Sequence, residues 1–105
     1  MNDELLNRVM DLISISGESR SIAMSAIVDS EKGNIDEAAS KIKQAKKNIH
    51  KAHNIQTSFI TQEMNGDNID KSILLIHSQD HFMNALTVID LAERIVNTNS
   101  KIARL

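Results

Sequence analysis

The sequence contains no cysteine, proline, tryptophan or tyrosine, and only three glycines and two phenylalanines among its 105 residues. Without cysteine the chain has no disulfide framework, no thiolate metal site and no cysteine nucleophile. Without proline, and with so few glycines, little interrupts regular secondary structure. No apolar run approaches the ~18 residues that a membrane span needs, and the amino terminus lacks the basic and apolar regions of a signal peptide. We therefore expect a cytoplasmic protein without direct membrane insertion.

Charge and length limit the function further. The chain carries 12 basic and 14 acidic residues, a net charge of −2. It therefore has neither the basic footprint of a nucleic-acid-binding protein nor a polybasic membrane anchor. Residues 1–105 have the length of one small domain, with room for a core but not for a large cleft.

The first turn signal lies in the segment EKGNIDEA. Gly33 suits the left-handed residue that ends a helix, and Asn34 suits the N-cap of the next one. Glu37, three residues after Asn34, would complete a capping box.

The second turn signal is Asn65-Gly66 in MNGDNIDK, after which Asp67 or Asn68 would cap the following helix. The two turns predict an all-α fold of three long antiparallel helices. Their approximate bounds are residues 3–31, 35–64 and 68–104.

Apolar residues of the second predicted helix recur in steps of three and four, as in a coiled-coil seam. The seam is Ile35, Ala38, Ile42, Ala45, Ile49, Ala52, Gln56 and Phe59. The first helix has two adjacent apolar stripes. One is Leu5, Val9, Leu12, Ala23 and Ala26, and the other is Leu6, Met10, Ile13, Met24 and Ile27. Because a single partner helix would not cover both stripes, we expect the three-helix protomer to associate into a larger bundle.

The segment IHSQDHFM places His77, Asp80 and His81 at i, i+3 and i+4, on one face of a helix. The spacing is compatible with three interpretations. The side chains can ligate a divalent metal, because imidazole and carboxylate suit such ions. One imidazole can instead carry a phosphoryl group, because a histidine is mostly unprotonated at neutral pH and needs no separate base. The third interpretation is an ordinary polar stripe at the rim of the bundle.

None of the three interpretations explains the position of Asp80, which interrupts the apolar series Ile73, Ile76 and Met83. An unpaired buried carboxylate costs several kcal/mol unless it is paired, protonated or bound to metal. A symmetric assembly would resolve the conflict if several copies of Asp80 shared one cation.

Three segments of the chain resemble the lactose/cellobiose-type enzyme IIA components of the phosphoenolpyruvate-dependent sugar phosphotransferase system. They are ILLIHSQDHFMNALTVIDLAERI, SGESRSIAMSAI and AHNIQTSFITQEMNG. They are spread over residues 16–95, one in each predicted helix, and follow the family's order along the chain. Ser78 stands where alanine is usual and Phe82 where leucine is usual, and both changes are mild.

The resemblance implies a homotrimeric helical bundle that relays phosphoryl groups. His77 matches the phosphorylated histidine of the family, and His81 and Gln79 would lie close to the phosphoryl group. Asp80 matches the aspartate that gathers around a shared metal ion at the trimer axis, and we expect this ion to be Mg²⁺. The family accepts phosphate from the phosphocarrier HPr and passes it to a cysteine of the cognate IIB protein. That relay serves the uptake of β-linked disaccharides such as lactose, cellobiose or chitobiose.

The alternative from the residues alone is a non-catalytic helical oligomer that binds a structural metal through His77, Asp80 and His81. Two other features are interpreted as structural. The basic residues between positions 41 and 51 are expected to form a solvated helix face. His53 is expected to be a hydrogen-bonded structural histidine. Gly17 either permits close helix packing or leaves room beside His77.

Overall fold

The computed structural model describes all 105 residues. It contains three helices and no strands, which confirms the all-α prediction. The helices are α1 (Asp3–Glu31), α2 (Ile35–Met64) and α3 (Ile73–Ala103). Each is about 45 Å long at 1.5 Å per residue, and the molecule is a rod of 56 × 21 × 19 Å. No helix combines the length and hydropathy that crossing a bilayer requires.

Side-chain contacts define the direction of the helices. Arg8, near the start of α1, donates a hydrogen bond to Gln62 near the end of α2 (3.1 Å), so these two helices are antiparallel. Asn99, near the end of α3, donates to Ser30 at the end of α1 (2.9 Å), so α1 and α3 run in the same direction. The up-down-up order follows from the short connections between successive helices.

Both predicted turn glycines adopt the expected left-handed backbone, with φ of 85° at Gly33 and 86° at Gly66. The predicted capping box between Asn34 and Glu37 is wrong, because the Asn34 side chain makes no cap hydrogen bond. Asn34 has a ψ of 67°, whereas Asn2, which does cap α1, has a ψ of 166°. The extended conformation directs the side-chain oxygen at the free N–H groups, and Asn34 lacks that conformation.

Helix α3 begins at Ile73 and not at residue 68, so the predicted caps Asp67 and Asn68 are wrong. The true N-cap is Ser72, whose hydroxyl accepts from the Leu75 amide at 3.1 Å. The predicted caps lie instead in a connection in which Ile69 packs against the core.

The core is a narrow column of small and aliphatic side chains between the three helices. The predicted seam of α2 is confirmed, because its members from Ala38 to Ala52 and Phe59 are buried and Gln56 is half-buried. On α3 the buried positions are Leu75, Ser78, Phe82, Ala85, Ile89, Ala92 and Val96. Ser78 is tolerated in this core because its hydroxyl donates to the Leu75 carbonyl oxygen at 2.6 Å.

Two apolar stripes remain exposed on the protomer. On α1, the first predicted stripe is largely buried, and the second exposes Leu6, Met10 and Met24. On α3, the series around Asp80 is not part of the core: Ile73, Ile76 and Met83 are 86%, 55% and 53% exposed. Asp80 is exposed with them, so its carboxylate is not buried within a single protomer. The uncovered surface expected from the sequence is therefore present.

Gly17 lies inside α1, and a Cβ added there would meet no atom within 4 Å. Neither prediction for Gly17 explains its presence within one protomer, because close packing and a neighbouring histidine both require nearby atoms.

Candidate functional site

The two histidines of α3 form a direct pair. The Nε2 atoms of His77 and His81 are 3.0 Å apart, and their rings meet edge to face with centroids separated by 4.4 Å. The helix produces this contact because residues four apart lie one above the other on the same face. His77 is exposed and His81 is half-buried, so the pair is open to an incoming group.

A single hydrogen bond between two imidazoles requires one nitrogen to carry a proton and the other to offer its lone pair. If His81 donates from Nε2, then the Nε2 of His77 is unprotonated and its own proton lies on Nδ1. In that arrangement the single lone pair on Nε2 of His77 accepts the hydrogen bond from His81, and breaking this bond frees it for attack. A histidine with its proton on Nδ1 has the unprotonated Nε2 that a nucleophile needs.

The Gln79 side chain lies on a different side of α3 from this pair. Its Oε1 accepts a hydrogen bond from the Nε2 of Gln56 on α2 at 3.2 Å, and it makes no hydrogen bond to His77. Residues two apart on a helix project about 200° apart. Within one protomer the structure therefore joins His77 to His81 but separates Gln79 from both.

Asp80 makes no hydrogen bond and no ion pair in the protomer, although the chain has three ion pairs elsewhere. No group of three or more histidine or acidic side chains within one protomer is arranged to hold a metal ion. One exposed carboxylate is an incomplete site. Carboxylate oxygens are nevertheless the ligands that Mg²⁺ prefers, so several copies of Asp80 fit that ion chemically.

A surface cavity of about 580 Å³ lies at the other end of the rod and contains none of the candidate site residues. It is lined by Lys43, Lys46, Glu93 and other residues of α2 and α3. A smaller cavity of about 250 Å³ lies beside Gln79 and is also lined by Ile76 and Phe59. The histidine pair itself is on the open surface and not in a cleft.

The basic residues of α2 are partly engaged in structural contacts. Lys41 binds Asp29 of α1 at 2.6 Å, and Lys46 binds Glu93 of α3 at 2.5 Å. His53 is exposed, with its ring 6.1 Å from that of Phe82, and makes no hydrogen bond. The prediction of a hydrogen-bonded His53 is therefore wrong.

Comparison with known proteins identifies the family. The model of the family described as "PTS system, Lactose/Cellobiose specific IIA subunit" matches residues 7–100. The chain belongs to this family. As a lactose/cellobiose-type IIA subunit, it is a component of a phosphotransferase system, and the resemblance seen in the sequence is confirmed.

Individual relatives agree with this assignment. The lichenan-specific phosphotransferase enzyme IIA component of Bacillus subtilis (strain 168) is 38% identical over 97% of this chain and 93% of its own length. The crystal structure of the cellobiose-specific enzyme IIA from Bacillus anthracis has a TM-score of 0.93 at 38% identity, covering 97% of this IIA chain and 94% of that chain. The IIA(chitobiose) protein, solved in complex with HPr from Escherichia coli, has a TM-score of 0.82 at 28% identity, covering 96% and 98%.

Proposed function

We propose that this IIA protein is a phosphoryl carrier of a sugar phosphotransferase system, acting in the cytoplasm, with His77 as the phosphorylated residue. It would accept a phosphoryl group from phospho-HPr and pass it to a cysteine of the cognate IIB component. The observation that carries the proposal is the exposed His77–His81 pair, with 3.0 Å between the two Nε2 atoms. The complex of the related IIA(chitobiose) with HPr supports the identity of the donor.

The transfer balances without a further reactant. The Nε2 lone pair of His77 forms the new N–P bond while the bond between phosphorus and the donor's leaving atom breaks, and the donor keeps that electron pair. The hydrogen bond from His81 breaks first to free that lone pair, and the Nε2–H of His81 then donates to a phosphoryl oxygen. His81 thus holds the reactive tautomer before the transfer and stabilises the anionic product afterwards.

The charges at the start of α3 also favour an anion on His77. The first turns of α1 and α2 each carry two acidic residues, whereas the first turn of α3 carries none. Side chains of a helix tilt toward its N-terminus. A phosphoryl group on His77, in the second turn, therefore meets no acidic side chain in the turn that precedes it.

We further propose that three protomers associate through α3 with Asp80 at the threefold axis around a divalent ion such as Mg²⁺. The exposed apolar series around Asp80 supports this arrangement, because it needs a cover and is interrupted by one carboxylate. With that stripe facing the axis, His77 and Gln79 lie on its two opposite flanks, about 60° and 100° from Asp80 at 100° per residue. Gln79 of one protomer then faces His77 of its neighbour.

The residues around His77 do not identify the transported sugar. The relatives are named for lichenan, cellobiose and chitobiose, and a relay that handles only phosphate has no sugar pocket. We propose that the system serves a β-linked sugar of this class. The alternative of a non-catalytic oligomer with a purely structural metal site is not adopted, because the chain belongs to the lactose/cellobiose IIA family.

The test is incubation with phosphoenolpyruvate, enzyme I and HPr, followed by intact-mass measurement. The wild-type protein should gain one acid-labile adduct of roughly 80 Da, the mass of a phosphoryl group. His77→Ala should gain none, because the nucleophile is missing. His81→Ala should still accept phosphate but about fivefold more slowly, the effect of one hydrogen bond of about 1 kcal/mol.

His53→Ala is the matched control, because this histidine is exposed on α2 and contacts neither member of the pair. It should react like the wild type. Full phosphorylation of His77→Ala would refute the assignment of the nucleophile, and a greater loss in His81→Ala would transfer it to His81.

A further inference from the structure

Gln56 is the one polar residue within the α2 seam. It lies half-buried between the fully buried Ala52 and the nearly buried Phe59, at a position where every other member of the seam is apolar. A polar side chain in such a place is unfavourable unless its hydrogen-bonding groups find partners. Its partners are both on α3: the Gln79 oxygen at 3.2 Å and the Met83 sulfur at 3.9 Å from its Nε2.

These two contacts determine the direction of the hydrogen bond. Both partner atoms are acceptors, and the NH₂ group of a glutamine has two protons to donate. If the Gln56 amide were reversed, its oxygen would face the Met83 sulfur and lose a donor contact. Met83 therefore favours the orientation in which Gln56 donates to Gln79.

Gln79 has no other hydrogen-bond partner in the protomer, and its far side borders the cavity of about 250 Å³. The hydrogen bond from Gln56 holds the Gln79 oxygen toward α2, which leaves its NH₂ group without a hydrogen-bond partner in the protomer.

We propose that Gln56 is a positioning residue for phosphoryl transfer. It orients the Gln79 carboxamide so that its NH₂ group, and not its oxygen, faces the phosphoryl group on His77 of the neighbouring protomer. An amide oxygen in that place would repel the anion, whereas the NH₂ group donates to it. This inference rests on the proposed function and on the flanking positions of His77 and Gln79.

Two substitutions separate this role from simple packing. Gln56→Leu removes the hydrogen bond but keeps an apolar seam, so the Gln79 amide becomes free to rotate. Gln56→Glu offers only acceptor atoms, so Gln79 must turn its NH₂ inward and its oxygen outward. The rate of phosphoryl acceptance from phospho-HPr should fall about fivefold for the leucine variant, the effect of one hydrogen bond. It should fall further for the glutamate variant.

A double-mutant cycle shows whether Gln56 acts through Gln79. In the Gln79→Ala background, Gln56→Leu and Gln56→Glu should cause no further loss of rate, because the residue they orient is absent. The matched control is Lys46→Met, which removes another polar contact between α2 and α3, ten residues and about 15 Å from Gln56. This control should react at the wild-type rate.

The outcomes are distinguishable. If the wild-type protein takes no phosphate from phospho-HPr, the proposed function fails and this inference fails with it. If the wild type is phosphorylated on His77 but the Gln56 variants keep its rate, only the inference is refuted. The inference also fails if the Gln56 effects persist without Gln79, or if Lys46→Met slows the transfer equally.

Discussion

Replacement of Asp80 by leucine should remove the dependence of the trimer on divalent ions. In the proposed assembly, three carboxylates meet at the axis. At an effective dielectric constant of about 20, two unit charges about 5 Å apart repel by about 3 kcal/mol. Three such pairs cost about 10 kcal/mol when no cation or proton neutralises them. Chelation at neutral pH should therefore dissociate the wild-type trimer.

The leucine variant should show the opposite behaviour. It continues the exposed apolar series of Ile73, Ile76 and Met83 and removes the repulsion. Exchange of buried charge clusters for packed aliphatic side chains often stabilises a protein by about 1 to 4 kcal/mol. For a chain of this size, each kcal/mol raises the melting temperature by about 4 to 8 °C. The Asp80→Leu trimer should melt higher than the wild type and ignore the chelator.

The assay is sedimentation and thermal melting of both proteins, each with and without a chelator. Asp36→Leu is the matched control, because this exposed acid lies in the first turn of α2, away from α3's exposed stripe. The control should keep the chelator sensitivity of the wild type and lose about 0.3 to 1 kcal/mol of helix stabilisation. A wild-type trimer that ignores the chelator, together with a leucine variant that melts lower, would refute the shared metal axis.

Further predictions concern the helix boundaries, the glycines and the core, and urea unfolding measures them all. Ser72→Ala should lower the free energy of unfolding by about 1 kcal/mol through loss of the α3 cap, while Asn68→Ala should leave it nearly unchanged; the reverse order would contradict the boundary. Gly17→Ala should raise it by about 1 kcal/mol, because the helix has space for the methyl group. Gly33→Ala should lower it, because φ is 85° there. Phe82→Ala should cost about 3 to 5 kcal/mol, because the ring is only 1% exposed; a loss below 1 kcal/mol would contradict its place in the core.

The features predicted correctly from the sequence are those that local chemistry determines. The α2 seam follows from helical periodicity, and Gly33 and Gly66 adopt left-handed backbones that only glycine enters at little cost. The start of α3 was predicted wrongly for a different reason. Residues 67 and 68 have side chains suited to capping, but they lie in the connection before Ile73, where Ile69 packs against the core. The residue pattern of this segment does not indicate that contact.

In the candidate site, too, some contacts follow from local sequence and others depend on how the helices pack. The contact between His77 and His81 follows from a separation of four residues on one helix. The link from Gln79 to Gln56 spans 23 residues and joins two helices. The sequence shows that Gln56 interrupts an apolar seam and therefore needs a hydrogen-bond partner. It does not show which residue is that partner, because this depends on the register between α2 and α3. Arg8 is a second case, since its guanidinium lies 4.3 Å from the Phe59 ring centroid, and no sequence pattern predicts that contact.

In the proposed trimer, the residues of assembly and those of phosphoryl transfer lie in the same two turns of α3. Asp80 and the histidine pair are adjacent on the helix, and the apolar series that needs a cover runs between His77 and Gln79. A relay gains from an exposed nucleophile, because both its donor and its acceptor are proteins that must reach the same atom. The five main cavities of the protomer do not include His77, so in the proposed trimer we expect a neighbouring protomer and the docked partner to form the remaining walls of the reaction site. Exclusion of water, which the protomer does not provide, would then begin only when the partner is bound.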